Sequence, residues 1–346
     1  MTSRVIGALI PALCVLGTAA ATRADPAPAD LRARALTEVQ EASHRSDRAA
    51  ADSVARSLVA RWPDDPTGYY ARAVLSQVRG QGCEDARPLG RPDADLARAA
   101  TLAEAAVRAR PSDVWSRYIL GLALGFQSML AARDGHLWQA WRTSRRSLDE
   151  LDEVLRRDPT FVDAWLPVGT YHFWVGSAVA RWRWLPGIED TRAQGIAELR
   201  RAASRGRMTQ LSANSMLVWA LLAYDRQAEA LRLADSLLVR YPGNRSFLWA
   251  RVNALLSLRR WTQAEAAATA ALETFGPEEA DCPGPARLRA SRGIALAAMG
   301  RCAEARPLLD AALRRKSPAG DGQFAALREE ATRWVRSCEG KEETRR

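Results

Sequence analysis

The amino-acid sequence predicts an all-α fold, an α-α solenoid of about seven helix-turn-helix repeats that ends in a C-terminal capping helix. Three observations lead to this prediction. The 346-residue chain is rich in Ala, Leu and Arg, a composition that favours helix nearly everywhere. Amphipathic stretches such as residues 53–63 and 102–111 recur, and another helical pattern follows each of them. These stretches are separated by seven marked joints, at Pro63, Pro111, Pro159, Arg207, Pro242, Pro277 and Pro318.

The spacing of the joints indicates internal repetition. The first four joints are 48 residues apart, and the next two intervals are 35 residues. Because neither helix of a pair can bury its apolar stripe alone, stacked pairs share one continuous core. We expect residues 25–338 to form this domain, with pairs from Leu31 and a last helix from about Asp321 to Cys338. Residues 339–346 are expected to be a disordered charged tail.

Several short motifs resemble the tetratricopeptide repeat, a helix-turn-helix unit of roughly 34 residues. They are Asp158-Pro159, Ala164-Trp165, Val168-Gly169 and Tyr171, then Ala228-Glu229-Ala230 running to Tyr241-Pro242, and Gly300-Arg301 with Ala303-Glu304-Ala305. The longer 48-residue units require longer helices or insertions in the turns, such as residues 81–92. The resemblance implies that the first helix of each pair lines a concave surface, on which a partner would bind.

The N-terminus has the features of an export signal. Arg4 precedes an apolar run from Val5 to Ala21, and small residues offer cleavage sites near Ala21 or Ala24. No later stretch approaches the length of apolar sequence that a membrane span needs. We therefore expect residues 1–24 to be a signal peptide and the mature protein to be periplasmic or secreted.

Four cysteines follow the predicted signal peptide, an even number that indicates disulfides in an oxidising compartment. The last helix should pack antiparallel to the preceding one, which brings Cys302 close to Cys338. This pair is predicted to form a disulfide, the alternative being two buried free thiols. The sequence leaves open whether Cys83 and Cys282 are paired.

The sequence contains no pattern typical of an enzyme. Its three histidines occur at no catalytic or metal-binding spacing, and neither a G-x-S-x-G motif nor a phosphate-binding glycine loop is present. We expect no catalytic residue, no cofactor and no metal. His172 lies between Tyr171 and Phe173 on an apolar helix, where a hydrogen-bonded structural histidine is expected. The formal charge is +10, but basic and acidic residues alternate along the chain, so nucleic-acid binding is not expected.

A binding groove is predicted around the densest aromatic cluster. Thr170, Trp174, Ser177 and Arg181 share one helix face, because they are spaced by four, three and four residues. By resemblance to the tetratricopeptide repeat, the groove positions of this unit include Asp163, Thr170, Phe173 and Trp174. The corresponding positions of the two preceding units are Trp115, Tyr118 and Phe126, and then Tyr70.

These residues would form an aromatic-lined channel for an extended peptide or a partner helix. Two alternatives stay open: the aromatic side chains fill the core between long helices, or the channel holds a small apolar ligand. The alternating Arg and Trp of residues 181–184 adds possible contact with a membrane surface.

The function predicted from the sequence is a non-enzymatic scaffold in the cell envelope that binds a protein or peptide partner in this groove. A small-molecule or lipid-binding component of an envelope transport system is the second hypothesis, and a hydrolase with an unrecognised site is the third. The sequence identifies neither the partner nor the oligomeric state.

Overall fold

The computed structural model describes residues 28–45, 48–78, 92–180, 184, 189–280, 282–315 and 322–343. In these residues the chain forms fifteen α-helices, two short 3-10 helices and no strand. The α-helices are α1 Ala29–His44, α2 Arg48–Arg61, α3 Pro66–Val78, α4 Pro92–Ala109, α5 Val114–Arg133, α6 Leu137–Arg157, α7 Trp165–Val179, α8 Arg192–Arg205, α9 Gln210–Ala223, α10 Gln227–Arg240, α11 Arg245–Ser257, α12 Trp261–Leu272, α13 Pro283–Ala298, α14 Cys302–Arg314 and α15 Gly322–Glu343. None of these helices is long and apolar enough to cross a bilayer.

The helices form seven consecutive pairs, α1/α2 to α13/α14, followed by α15. Six of the seven joints in the sequence lie between the second helix of one pair and the first helix of the next, and Pro318 lies outside the described residues. The all-α helical repeat architecture is therefore confirmed. The 48-residue spacing is explained in part by long helices, since α5 has 20 residues and α6 has 21.

The turns inside the pairs repeat one backbone geometry. Gly135, Asp225, Arg259 and Gly300 each follow the end of a first helix and have a positive φ. In each case the next residue donates its N–H to a carbonyl five residues earlier, as in Arg226 to Leu221 at 2.9 Å. This six-to-one bond closes a helix end with a left-handed residue. Its recurrence in four pairs shows that the pairs are structural repeats.

Three of the joints between pairs also share one capping arrangement. Asp113 and Asn244 are the N-caps of α5 and α11, and each side chain accepts an N–H from the residue three positions later. At the start of α3, Asp65 accepts the N–H of Thr67, two positions later. Each cap follows a joint proline by two residues, so the proline ends one helix and the cap begins the next.

At the C-terminus, a disulfide joins Cys302 to Cys338, with their Cα atoms 5.6 Å apart. It connects the start of α14 to the far part of α15, as the antiparallel packing predicts. The helix α15 continues to Glu343, into the segment where the sequence predicts a disordered tail. The ion pair between Arg306 and Glu339 holds the beginning of that segment against α14.

The array curves towards its first helices until α1 meets later pairs of the chain. The hydroxyl of Ser212 in α9 donates to Oε1 of Gln40 in α1 at 2.9 Å. The hydroxyl of Tyr241, in the joint before α11, donates to Glu41 at 2.8 Å, across 200 positions of sequence. The array from α1 to the start of α11 is therefore closed on itself, and α11 to α15 continue beyond this contact.

The helices α7 and α8 cross with their backbones in contact at Gly169 and Gly195. A Cβ at Gly195 would lie 2.6 Å from the backbone N of Phe173 and 2.7 Å from the carbonyl oxygen of Gly169. Backbone atoms cannot move aside as the end of a flexible side chain can. Only glycine therefore fits at this crossing, which positions the polar and aromatic side chains of α7.

We expect Gly195→Ala to lower the free energy of unfolding by about 1–3 kcal/mol, since it overpacks a tight helix contact. Urea denaturation followed by circular dichroism measures this change. Gly243→Ala is the matched control, because nothing lies within 4 Å of its Cβ position, and it should change stability by no more than about 0.5 kcal/mol. Equal stability of the two variants would contradict the backbone contact.

The contact that His44 of α1 makes with the joint before α11 should weaken as the pH falls. Burial lowers the pKa of His44 below its ordinary 6.5, although Nδ1 bonds to the carbonyl of Gln40 and Glu41 is nearby. The ring lies 5.9 Å from that of Phe247, and Asn244 donates to the His44 carbonyl. The other charged or titratable groups at this contact are Arg45, Arg240 and Tyr241.

Because the folded state holds His44 neutral, stability is full above pH 6.5 and is lost as the pH falls below that value. We expect the urea midpoint of the protein to fall between pH 7.5 and 5.5 by more than that of His44→Phe. The exposed His136 provides the control, as His136→Gln should keep the wild-type pH dependence. If His44→Phe kept the wild-type pH dependence, protonation of His44 would have no effect on the contact between α1 and the joint before α11.

Candidate binding site

The aromatic residues predicted to line the early part of the groove are buried in the closed array. Trp115 and Tyr118 are 9% and 1% exposed, and they share one core cluster with Leu36 and Val39 of α1. The indole N–H of Trp115 donates to the hydroxyl of Thr67 at 2.9 Å. Their assignment to a groove surface is therefore corrected: because α1 folds over them, they form the core.

A buried arginine of α1 also packs against Trp115. The guanidinium of Arg32 in α1 lies 5.0 Å from the ring centroid of Trp115 and forms an ion pair with Asp65 at 3.5 Å. Burial raises the pKa of Tyr118 and of Tyr70, which is half-buried against the same cluster. Both phenols therefore stay protonated and neutral.

Asp163 is also buried, and it caps a helix of the next pair rather than facing a ligand. Its Oδ1 accepts the backbone N–H groups of Met208 and Thr209, both at 2.9 Å, and the Thr209 hydroxyl at 2.8 Å. Thr209 immediately precedes α9 and makes no side-chain cap of its own. Asp163 thus satisfies the free donors at the start of α9, and its predicted place in the groove is corrected.

The remaining predicted positions divide between the core and the surface of α7. Phe173 is fully buried against Tyr224, and Phe126 is half-buried against the cluster of α4 and α5, so these two are not free anchors. Thr170 and Ser177 are half-buried and donate to the carbonyls four residues earlier in their own helix.

Trp174 is the exception on this helix, as 43% of its surface is exposed. Its indole N–H lies 3.4 Å from the sulfur of Met216 in α9, which connects the surfaces of two successive first helices. Arg181 lies outside the described residues, as does Cys83. Cys282 is disulfide-bonded.

A polar cluster between α7 and α8 confirms the structural role predicted for His172. Its Nδ1 lies 2.6 Å from Oε2 of Glu198, which is itself buried and accepts Gln194 at 2.9 Å. Burial raises the pKa of the nearby Asp152, with additional repulsion from Asp149 and Glu198. In the described part of the chain, no three His, Cys, Asp or Glu side chains are arranged to hold a metal ion.

An open pocket of about 240 Å³ lies among the first helices of the last three pairs, and we call it the Trp219 pocket. It is lined by Trp219 of α9, Arg245, Ser246 and Trp249 of α11, Phe275 of the following joint, and Gly284, Arg287 and Leu288 of α13. No residue of α1 lines it, so the closure that buries the early aromatic residues leaves this pocket open.

The walls of the Trp219 pocket are fixed by their own contacts. Arg245 donates to both carboxylate oxygens of Glu279 at 2.7 Å and to the Thr274 carbonyl at 2.6 Å, and it lies 4.0 Å from the Phe275 ring centroid. The hydrogen bond from Arg245 lowers the pKa of Glu279, so this carboxylate stays charged and neutralises the guanidinium. The indole N–H of Trp219 donates to Ser246 at 3.2 Å and ties α9 to α11.

The chemistry of the Trp219 pocket suits an apolar group. Two indoles, Phe275 and Leu288 supply apolar surface. The indole N–H of Trp249 is inaccessible to solvent, so it does not face the open space of the pocket.

The sequence pattern could have identified this pocket if the repeat register had been carried further. Trp219 is the tenth residue of α9, and Trp174 is the tenth residue of α7. The 48-residue step between joints instead matches Trp174 with Leu222, because the loop between α8 and α9 is three residues shorter than the loop between α6 and α7. A register carried forward by 48 residues is therefore three residues out at α9.

These features define a class of protein, a closed helical repeat protein with a pocket on the face of its first helices. No known family model matches the chain, and no curated protein matches it. Among solved structures, the chain is similar to a tetratricopeptide repeat protein from Parabacteroides merdae ATCC 43184, with 12% identity, coverage of 88% of this chain and 99% of that chain, and a TM-score of 0.40.

It is also similar to the TPR domain of P58(IPK), with 16% identity, coverage of 83% of this chain and 67% of that chain, and a TM-score of 0.28. At these TM-scores neither structure assigns a role to a residue of this chain. The repeat architecture rests on the pairs, turns and joints of the chain itself.

We expect Asp163→Ala to lower the free energy of unfolding by about 1–3 kcal/mol, because it leaves buried N–H donors at the start of α9 without an acceptor. Urea denaturation provides the measurement. Asp158→Ala is the matched control: Asp158 also accepts an N–H and a hydroxyl, both from Thr160, but at an exposed turn where water can replace it. A loss at Asp163 no larger than at Asp158 would contradict the capping role.

Proposed function

We propose that this protein is a non-enzymatic scaffold that binds a peptide segment of a partner protein in the Trp219 pocket. The observation that carries the proposal is the pocket itself, an aromatic recess with rigid walls that the closure by α1 leaves open. Aromatic side chains in such recesses supply most of the binding energy at protein interfaces. The partner would insert one apolar side chain into the pocket.

The size of the pocket favours a peptide anchor over the alternative of a whole small-molecule ligand. Its volume of about 240 Å³ is below the range of roughly 300–1,000 Å³ typical of ligand pockets. The exposed Trp174 and the adjacent Met216 continue the first-helix surface beyond the pocket. A peptide of several residues would therefore find contacts outside the pocket, whereas a small molecule would not.

The proposed location is the cell envelope or the exterior. The N-terminal sequence supports export, and the disulfide between Cys302 and Cys338 supports an oxidising compartment. The disulfide bond of Cys282 adds to this support. Secretion of the full-length chain with removal of residues 1–24 is the expected result of expression with its own N-terminus.

Selection of random peptides on the purified protein tests the binding function. We expect enriched peptides to share an aromatic or large aliphatic anchor, and Trp219→Ala to weaken their binding at least tenfold, as for a hot-spot residue worth about 1.4 kcal/mol or more. Fluorescence anisotropy of a labelled peptide measures the affinity. Trp184→Ala is the matched control, since Trp184 is 75% exposed and does not line the pocket.

Two results would overturn this function. In the first, no peptide is enriched, or the enriched peptides bind Trp219→Ala and Trp184→Ala equally. In the second, native mass spectrometry finds a small molecule retained by the wild-type protein and lost in Trp219→Ala. The second result would favour the small-molecule or lipid-binding alternative.

A further inference from the structure

Four large apolar side chains are exposed together at the turn between α5 and α6. They are Met129, Leu137, Trp138 and Trp141, with exposed fractions of 50%, 69%, 70% and 52%, and we call them the turn patch. Single exposed apolar residues are ordinary on soluble proteins, but a contiguous group of them marks an interaction site. The turn patch lies outside the Trp219 pocket and shares no residue with it.

The two tryptophans of the turn patch form one rigid unit. Their rings are stacked, with centroids 4.9 Å apart and planes inclined by 22°. Trp138 lies on the face of α6 opposite to the buried Ala140 and Leu151, and Trp141 lies at the edge of the buried face, seven residues before Leu148. More than half of the surface of each tryptophan is exposed, so neither side chain is enclosed in the core.

Basic residues follow the tryptophans on α6. Residues 135–148 include Arg142, Arg145 and Arg146 and contain no Asp or Glu. Arg146 forms an ion pair with Glu104. Arg142 and Arg145 are exposed, and among the described residues Arg142 forms no ion pair with a carboxylate. Arg145 donates a hydrogen bond to Tyr171 and lies near Asp149 and Asp152, which raises its pKa. Arg142 thus adds an unpaired positive charge beside the apolar side chains, and Arg145 adds a second one that nearby carboxylates partly offset.

We propose that the turn patch docks on the surface of an anionic lipid bilayer. Tryptophan prefers the headgroup level of a membrane, where its ring is in apolar surroundings and its N–H reaches water or phosphate. Arginines beside it pair with lipid phosphates. The patch is at one edge of the array, where α5 ends and α6 begins, so it reaches a flat surface without displacing any helix. Trp184, which follows α7 in the sequence, is also exposed, at 75%.

This chemistry favours lipid over a protein partner. A protein interface of ordinary size needs about 800 Å² from each partner, with a polar rim around its apolar centre. The turn patch is a short projection of four side chains with arginines on one side. A few exposed tryptophans and arginines at a projecting turn are sufficient for reversible membrane binding, because each aromatic ring and each cation adds independently.

Vesicle sedimentation with the full-length folded protein tests the proposal. We expect binding to vesicles of phosphatidylcholine with phosphatidylglycerol, little binding to phosphatidylcholine alone, and weaker binding as salt increases. Trp138→Ser/Trp141→Ser should reduce partition into the anionic vesicles at least tenfold, and Arg142→Gln should reduce it less. Brominated lipids should quench the tryptophan fluorescence of the wild type and should quench the double variant less.

The matched control is Val239→Ser/Arg232→Gln, which removes an exposed apolar side chain and an exposed arginine from α10. It should bind vesicles as the wild type does, and circular dichroism should show that all variants are folded. Equal binding by the double tryptophan variant and the control would overturn the proposal. So would a concentration-dependent oligomer that the tryptophan substitutions abolish while no variant binds vesicles, since the occupant would then be a second copy of the chain.

Discussion

The contact of α1 with later pairs of the array determines which of its surfaces meet water. Leu36 and Val39 enter the cluster that holds Trp115 and Tyr118, so the aromatic side chains of the early first helices become internal. Arg32 brings a positive charge into that interior, where its guanidinium pairs with Asp65 and lies over the Trp115 ring. The Trp219 pocket stays open because α1 contributes nothing to its walls. Closure thus buries the early part of the first-helix face and leaves the Trp219 pocket accessible.

The repeat architecture could be predicted from sequence because its signals are local. A proline cannot continue a helix, and Pro63, Pro111 and Pro242 each precede a cap by two residues. Helix-favouring composition and apolar periodicity are likewise properties of single helices, so they can be recognised without knowledge of the tertiary structure. The disulfide of Cys302 and Cys338 was also predictable, since antiparallel packing of two consecutive helices is enough to bring the two cysteines together.

The candidate binding site could be predicted only in part, because it depends on the curvature of the whole array. Trp174 is exposed as expected, but Trp115 and Asp163 are buried by contacts with helices far away in the sequence. Nothing local to Asp163 indicates that it accepts the N–H groups of Met208 and Thr209, some 45 residues later. The closure that buries Trp115 is formed by residues up to 200 positions apart, and helical periodicity carries no information at that range.

The same closure bears on how the chain folds. A linear array, whose repeats touch only their neighbours, can lose its terminal repeats one at a time. Here the hydrogen bond between Glu41 and Tyr241 ties the first pair to the middle of the chain, and the bridge to Cys338 fastens the last helix. The first pair therefore cannot fray without breaking its contact with the joint before α11, whereas the bridge ties α15 only to its neighbour α14. The array from α1 to the start of α11 should unfold as one cooperative unit, and its folding should be slower than that of an open solenoid, because contacts between distant residues must form.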